Sequence, residues 1–326
     1  VVEEHRLNQL HLLTLSVEEL FVRHVIDLLE LTSEEIIRIF NISLNLKKNL
    51  ARGIREPLLP GRVMGMLFEK PSLRTRVSFE AGMSHLGGTS LFLGQDVGWG
   101  KRESIADFAS VLGQYVDVIV CRANSHQKVV DLAQYAGCPV INGLTDLAHP
   151  CQALADLLTL QEAFGSLAGR KLAFVGDGNN VARSLAICCG KLDMEFALAA
   201  PQGYEFDADF LAQLKREVPK LKYTLTRNAA EAVHNACGVY TDVWVSMGQE
   251  AEQAERIKAF TPYQVNAKLM AHAPSDARFL HCLPARRGEE VTAEVIDGPQ
   301  SAVIPEAANR MHVQKGLLAF ILGAAV

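Results

Sequence analysis

Short apolar runs alternate with helical patterns along most of the chain, and this alternation narrows the possible folds more than any other feature. In the first half, residues 63–68, 90–93, 116–121 and 139–142 read as strands, with helical stretches at 77–86, 104–114 and 128–135 between them. A second series follows at 171–175, 196–200, 223–226, 239–245 and 279–283, again separated by helical segments. Strands in strict alternation with helices pair in parallel, because each crossover helix returns the chain to the same end of the sheet and covers one of its faces. The expected fold is therefore α/β, with two units that each carry a mainly parallel sheet and helices on both faces. The joint falls at the helix opening after His149-Pro150, where Leu154, Leu157, Leu158 and Gln161 recur at helical spacing and Gly165 stands near the end. A last amphipathic run, 306–322, is long enough to cross back onto the first unit.

The length of 326 residues agrees with two domains of about 150 residues each. A net charge of −5 argues against a nucleic-acid partner, since such proteins carry a basic field that displaces counterions from phosphates. Seven cysteines, odd in number and mostly in apolar sequence, show no paired spacing for zinc or redox work. They fit buried thiols in a reducing compartment. No run approaches the roughly 20 apolar residues that span a bilayer. Residues 1–21 contain carboxylates and no unbroken apolar core, unlike a secretory signal or an acid-poor transit peptide. Cytoplasm is the expected location, and neither a metal nor a cofactor is expected.

In open α/β sheets ligands bind beyond the carboxyl ends of the strands. Residues 68–80, between an apolar run and an amphipathic one, place Ser72, Arg74, Thr75 and Arg76 beside Pro71. A helix beginning on or next to Ser72 presents free amide groups and the positive end of its dipole, while Arg74 and Arg76 add charge, so an anion can bind there. The alternative is a Ser cap with solvated arginines. Arg122 follows 116–121, and Thr145, Asp146, His149 and Gln152 follow 139–142. Asp177, Asn179 and Asn180 follow 171–175, Asp242 lies inside 239–245 with Ser246, Met247 and Gly248 after it, and 279–283 contains His281 and Cys282, with Arg286 and Arg287 beyond. Each has a structural alternative, but all share a position at strand ends. Arginines and hydroxyls suit a dianion, a neutral His149 and Gln152 suit a polarised carbonyl oxygen, and Asp242 suits a cationic amine. No activated nucleophile is evident, which points to catalysis by orientation and charge stabilisation.

These residues resemble the aspartate/ornithine carbamoyltransferase family from about Arg23 onward. The resemblance rests on Ser72-Leu73-Arg74-Thr75, His149-Pro150-Cys151-Gln152, Asp177-Gly178-Asn179-Asn180, Asp242-Val243-Trp244-Val245-Ser246-Met247-Gly248, His281-Cys282-Leu283-Pro284 and Glu306-Ala307-Ala308-Asn309-Arg310-Met311-His312, in family order. It implies transfer of the carbamoyl group of carbamoyl phosphate to the δ-amine of L-ornithine, giving L-citrulline and phosphate. By similarity Ser72, Leu73 (through its backbone), Arg74, Thr75, Arg122, His149, Gln152, Cys282, Leu283 and Arg310 bind carbamoyl phosphate. Asn180, Asp242, Ser246 and Met247 hold ornithine, and Arg74, Arg122, His149 and Cys282 serve catalysis. The implied division is a carbamoyl phosphate domain at 1–149, with 1–22 an extension, an ornithine domain at 150–305, and a helix at 306–326 packing back on the first. Relatives suggest a homotrimer or a multiple of trimers.

Two departures stand out. Leu73 replaces a Thr common in relatives, a change that leaves a backbone contact intact. The loop 96–104 lacks the Gln or His that reaches a neighbouring subunit in many relatives, leaving Trp99, Lys101 and Arg102 as candidate substitutes. Putrescine is the alternative acceptor. A nucleotide-dependent oxidoreductase is disfavoured because residues 175–180 lack the third glycine of the dinucleotide fingerprint, and a noncatalytic ligand sensor remains as a third alternative.

Overall fold

A computed structural model describes residues 22–246 and 248–324. After a short 3-10 turn the first unit runs α1 (Ser33–Ala51), β1 (Val63–Phe68), α2 (Leu73–His85), β2 (Thr89–Leu93), α3 (Ile105–Leu112), β3 (Val118–Arg122), α4 (His126–Tyr135) and β4 (Val140–Leu144). The long α5 (Pro150–Phe164) leads into β5 (Lys171–Val175), α6 (Asn180–Lys191), β6 (Glu195–Ala199), α7 (Ala208–Glu217), β7 (Lys222–Thr226), α8 (Ala229–Val233) and β8 (Ala236–Tyr240). Then come α9 (Gln253–Phe260), α10 (Ala267–Met270), β9 (Arg278–Leu280), α11 (Ala293–Ile296) and α12 (Val303–Ile321). The two sheets have orders β2-β1-β3-β4 and β7-β6-β5-β8-β9, with every pairing parallel. The α/β expectation therefore holds, with four strands in one sheet and five in the other.

Each order reverses direction once, between β1 and β3 in the first sheet and between β5 and β8 in the second. At such a point the crossovers on either side run to opposite faces, and a crevice opens beyond the strand ends. Ser72 and Arg122 follow β1 and end β3; Asn179 and Asp242 follow β5 and β8. Several strand boundaries shift by one to a few residues from the sequence expectation, and three of the shifts bear on the site. The β3 ladder runs on through Arg122, which pairs with Phe68. Strand β8 stops at Tyr240, where Thr241 Oγ1 turns to donate to Val175 O at 2.7 Å, so Asp242 lies beyond the strand rather than inside it. Strand β9 stops at Leu280 because the next amide, His281 N–H, donates to the Glu306 carboxylate at 2.9 Å, which places His281 and Cys282 beyond it too.

Local chemistry explains the helix starts. Thr32 and Glu35 form a reciprocal capping box at α1, and Ser72 Oγ accepts Thr75 N–H at 3.3 Å to cap α2. Helix α5 is buried on every side from Pro150 to Leu160, the pattern of a helix enclosed between layers rather than lying on a surface. Helix α12 lies against α1, α5 and α2. A single apolar core continues from Val118 and Ile141 through Leu154, Leu158 and Leu317 to Leu172 and Phe174, so both sheets share these helices. Among the described residues no helix is long and apolar enough to cross a membrane, and all seven cysteines are unpaired.

The close approach of α12 to α1 depends on Gly316, where an added Cβ would stand 2.1 Å from Ser43 Oγ and 2.7 Å from Ile39 O. The second neighbour is backbone and cannot swing aside. Gly316→Ala is expected to force the helices apart and to destabilise the fold by about 1–3 kcal/mol, read as a lower urea midpoint at unchanged slope.

One turn earlier on α12, His312 is buried beside Lys315 and Lys47, and its Nδ1 has no partner. Burial, reinforced by these cations, lowers its pKa from 6.5 to about 4. The unfolded chain thus takes up a proton that the folded chain resists, and folding stability is complete above pH 6.5 and declines as pH falls towards about 4. Stability is expected to drop on the order of 2 kcal/mol across that window. His312→Gln should flatten the decline in urea melts at successive pH values.

Candidate active site

The two crevices face each other across a cavity of about 610 Å³ lined from both sheets. On the first side the start of α2 places Ser72, Leu73 and Arg74 on its wall, with Leu73, though apolar, 76% exposed. Thr75 is buried one step further in, its Oγ1 accepting from Arg310 Nη2 at 2.9 Å and Arg122 Nη1 at 3.4 Å. Arg74, Arg122 and Arg310 all reach this wall, and none of them pairs with a carboxylate among the described residues. Burial lowers the Arg122 pKa to about 10, and Arg310 and Arg74 push in the same direction. Arg74 is lowered chiefly by burial as well. Arg122 remains a cation at neutral pH, crowded by like charge, and a dianion relieves that crowding. The Nε atoms of Arg122 and Arg310 and Nδ1 of His149 are buried without protein partners.

His149 stands just before Pro150 at the start of α5, its N–H donating to Ser184 Oγ on α6 at 2.8 Å. Burial, then Arg310 and Arg122, hold its imidazole well below the usual range, so it is neutral near pH 7 and can donate one hydrogen bond without bringing charge. Gln152, one turn on, is buried and is not on the cavity wall. Its amide nitrogen donates to Asp156 and Glu306, and its carbonyl accepts from Arg310 at 2.5 Å.

On the second side Asn179 caps α6 and donates Nδ2 to Asp242 Oδ2 at 2.9 Å. Asn180 Nδ2 crosses to Thr145 O of the first unit at 2.6 Å. Asp242 Oδ1 accepts its neighbour Val243 N–H at 2.8 Å and the Cys282 thiol at 3.1 Å. Burial and the adjoining Asp242 carboxylate push the Cys282 thiol well above its ordinary value, so it is a protonated donor rather than a thiolate. Ser246, Gly248, Leu283, Pro284, Thr145, Asp146 and Arg286 also line the cavity. Met247 lies outside the described residues.

Several strand-end residues serve elsewhere. Arg76 projects away from the cavity, pairing with Glu80 at 3.0 Å and lying 3.8 Å from the centre of the Phe92 ring. Two positions along a helix turn a side chain about 200° from Arg74. Asp177 pairs with Arg256, and Arg287 pairs with Asp297 at 2.7 Å. His281 Nδ1 accepts Leu283 N–H at 2.9 Å, which fixes its proton on Nε2 for donation to Glu290 at 3.1 Å. Ligand atoms of Asp242, His281 and Cys282 lie within 4.8 Å of one another, yet both ring nitrogens of this histidine are committed and the thiol is protonated, a poor donor set for a metal. In the loop 96–104, Trp99 is buried with Lys128 5.4 Å from its ring, whereas Lys101 and Arg102 are exposed. The carboxyl pair Asp156 and Glu306 was not among the expected site residues. The spacing of Asp156, four residues after Gln152 on one helix, was the available signal.

A two-substrate transferase is the class this arrangement fits: cations on one wall face a carboxylate and amides on the other, and among the described residues no activated nucleophile lies between them. The carbamoyl-P binding domain model of the aspartate/ornithine carbamoyltransferases matches residues 23–162, and their Asp/Orn binding domain model matches residues 168–321. The chain belongs to the aspartate/ornithine carbamoyltransferase family. It is 52% identical over 304 residues to the ornithine carbamoyltransferase of Carboxydothermus hydrogenoformans, covering 92% of this chain and 98% of that one. To the ornithine carbamoyltransferase of Bacillus subtilis it is 51% identical over 312 residues, covering 95% and 97%. The solved ornithine carbamoyltransferase of Pyrococcus furiosus superposes with a TM-score of 0.89 at 48% identity, covering 93% of this chain and 98% of that one.

Proposed function

We propose that this enzyme transfers the carbamoyl group of carbamoyl phosphate to the δ-amine of L-ornithine, giving L-citrulline and phosphate. The observation that carries this assignment is the opposition, across one cavity, of Arg74, Arg122 and Arg310 to Asp242 and Asn180. Relatives at about half identity over nearly the whole chain carry the ornithine name. The phosphate rests on Ser72, the Leu73 N–H, Arg74, Thr75 and Arg122, with Arg310 closing its edge. Neutral His149 donates to the carbamoyl oxygen, and the Cys282-Leu283 main chain borders the carbamoyl nitrogen. Gln152 takes part through Arg310, whose guanidinium it holds.

Asp242 takes the cationic amine of ornithine, with Asn180, Ser246 and Met247 completing the acceptor site. The neutral δ-nitrogen bonds to the carbamoyl carbon, a tetrahedral intermediate forms, and the carbon–oxygen bond to phosphate breaks with its electron pair leaving on phosphate. The proton lost by the δ-amine leaves with that phosphate. Arg74 and Arg122 stabilise the charge that gathers on the leaving group, and His149 stabilises the oxyanion. Cys282, a protonated donor to Asp242, orients that carboxylate and is not the base.

We divide the chain into a carbamoyl phosphate domain ending at 149, an ornithine domain at 150–305, and a C-terminal segment from 306 that returns to the first. A homotrimer, or a multiple of trimers, is the assembly we expect, and exposed Val77, Leu91 and Phe92 near one edge of the first sheet support a subunit contact there. The buried, unpaired thiols suit a reducing compartment, and we place the enzyme in the cytoplasm. Citrulline formation from carbamoyl phosphate, measured with ornithine and with putrescine in parallel, tests the function. Product with ornithine is expected. Product with putrescine alone overturns the acceptor assignment, and product with neither overturns the reaction.

A further inference from the structure

Behind the arginine cluster lie two carboxyl groups without a role so far. Asp156 on α5 and Glu306 in the first turn of α12 are both fully buried, at 0% exposure. Three donors converge on Glu306: His281 N–H on Oε2 at 2.9 Å, with Gln152 Nε2 at 3.0 Å and the Tyr240 hydroxyl at 3.4 Å on Oε1. Asp156 receives Gln152 Nε2 on Oδ1 at 2.7 Å and shares the reach of the Tyr240 hydroxyl, but no main-chain donor meets it. Its Oδ2 is buried with no donor, while the carboxyl group lies within hydrogen-bonding reach of Glu306. Two adjoining carboxyl groups can bond to each other only if one of them carries a proton, and burying both as anions costs far more than burying an acid beside an anion.

The groups facing the pair are Arg310 from α12, Tyr240 from β8, Cys188 and Cys189 from α6, and Cys282 from the loop after β9. Arg310 is the one cation of this set, and it bonds to Gln152 and Thr75 rather than to either carboxyl group. Burial accordingly raises both acids. The Asp156 carboxyl raises Glu306 further and would by charge alone put the proton there, but the His281 main-chain N–H and the other donors on Glu306 favour the anion and leave the proton to Asp156.

We infer that Asp156 and Glu306 share a single proton, carried by Asp156, and act as a positioning pair for the carbamoyl phosphate site. Gln152 donates its amide nitrogen to both carboxyl groups at once, which turns its carbonyl towards Arg310. A flipped amide would set its carbonyl against the carboxyl oxygens and its NH₂ against the guanidinium. Arg310 is thereby locked at Thr75 on the cavity wall, while Glu306 also grips the first amide of the loop that carries Cys282 and Leu283. The inference rests on the carbamoyl transfer assigned above, since the role of Arg310 belongs to it.

The pair is asymmetric, and so is its test. Asp156→Asn replaces the O–H donor with an N–H donor and keeps the oxygen that accepts from Gln152. Glu306→Gln puts an NH₂ group where two oxygens receive three donors, and Asp156→Ala leaves Glu306 without its donor. Turnover with carbamoyl phosphate and ornithine, melting temperature, and infrared difference spectra at neutral pH are measured for wild type and the three variants. Asp156→Asn is expected to keep kcat within about threefold. Glu306→Gln and Asp156→Ala are expected to lose about tenfold or more at comparable melting temperature. The carbonyl band of a protonated carboxylic acid should be present in wild type and lost in Asp156→Asn.

Glu306→Gln as active as Asp156→Asn, or a band that persists in Asp156→Asn, overturns the inference. If Glu306→Gln does not fold, the wild-type and Asp156→Asn spectra decide alone. A wild type that makes no citrulline overturns the transfer instead, and the infrared comparison still tests the shared proton.

Discussion

Arg122→Ala is expected to lower kcat by about 10²- to 10³-fold and to raise the KM for carbamoyl phosphate, leaving the KM for ornithine nearly unchanged. Arg122 ends a central strand of the first sheet at the point where its order reverses, and its side chain is buried among Arg74, Arg310 and Thr75. Water screens less in such a place than in bulk, so the charge acts on the leaving phosphate more strongly than an exposed arginine would. The cluster is set before the reaction begins and needs no reorganisation as charge moves to the leaving oxygen. Arg74→Ala should show the same pattern, with an effect towards the lower end because Arg74 is less buried. Steady-state kinetics with each substrate varied in turn decide the matter. Near-normal turnover in Arg122→Ala removes it from the phosphate site.

Asp242→Asn is expected to act on the other substrate, raising the KM for ornithine by about 10²-fold while the KM for carbamoyl phosphate stays within a few-fold. A charge-assisted hydrogen bond to an amine becomes a neutral one, a loss of about 2–3 kcal/mol when the site is shielded from water. The variant also disturbs its neighbours. Asn179 Nδ2 and the Cys282 thiol both donate to the Asp242 carboxylate, so an amide in its place meets a donor on one side. Asp242→Ala separates the two effects, because it removes the charge without adding a donor. An unchanged ornithine KM in both variants overturns the assignment of Asp242 to the amine.

Much of this site was legible from residue types and spacing. Ser72 reads as a cap and does cap α2; His149-Pro150 reads as a helix start and opens α5; the alternating runs read as parallel sheets and form them. Arg74 and Arg76 look equivalent in the sequence, and helical rotation separates them, one towards the cavity and the other to Glu80 and Phe92. Gln152 reads as a ligand for the carbamoyl oxygen, but its amide is taken by Asp156 and Glu306. His281 has the chemistry of a site residue, but both of its nitrogens are occupied in holding Glu290 and Leu283. In each case the side chain's identity was informative and its partner was not available.

Local order in this chain, its strands, helix caps and apolar periods, was determined by the sequence alone, because those preferences act between residues a few positions apart. The tertiary structure decided which ends met. Arg310 reaches Thr75 across 235 positions and Gln152 reaches Glu306 across 154. No local pattern encodes such distances. They follow from the sheet orders and from α12 returning onto α1, α2 and α5, which long-range burial of apolar surface selects. The cations and the Asp242 carboxylate were therefore visible as candidates, but their opposition across one cavity exists only in the folded chain.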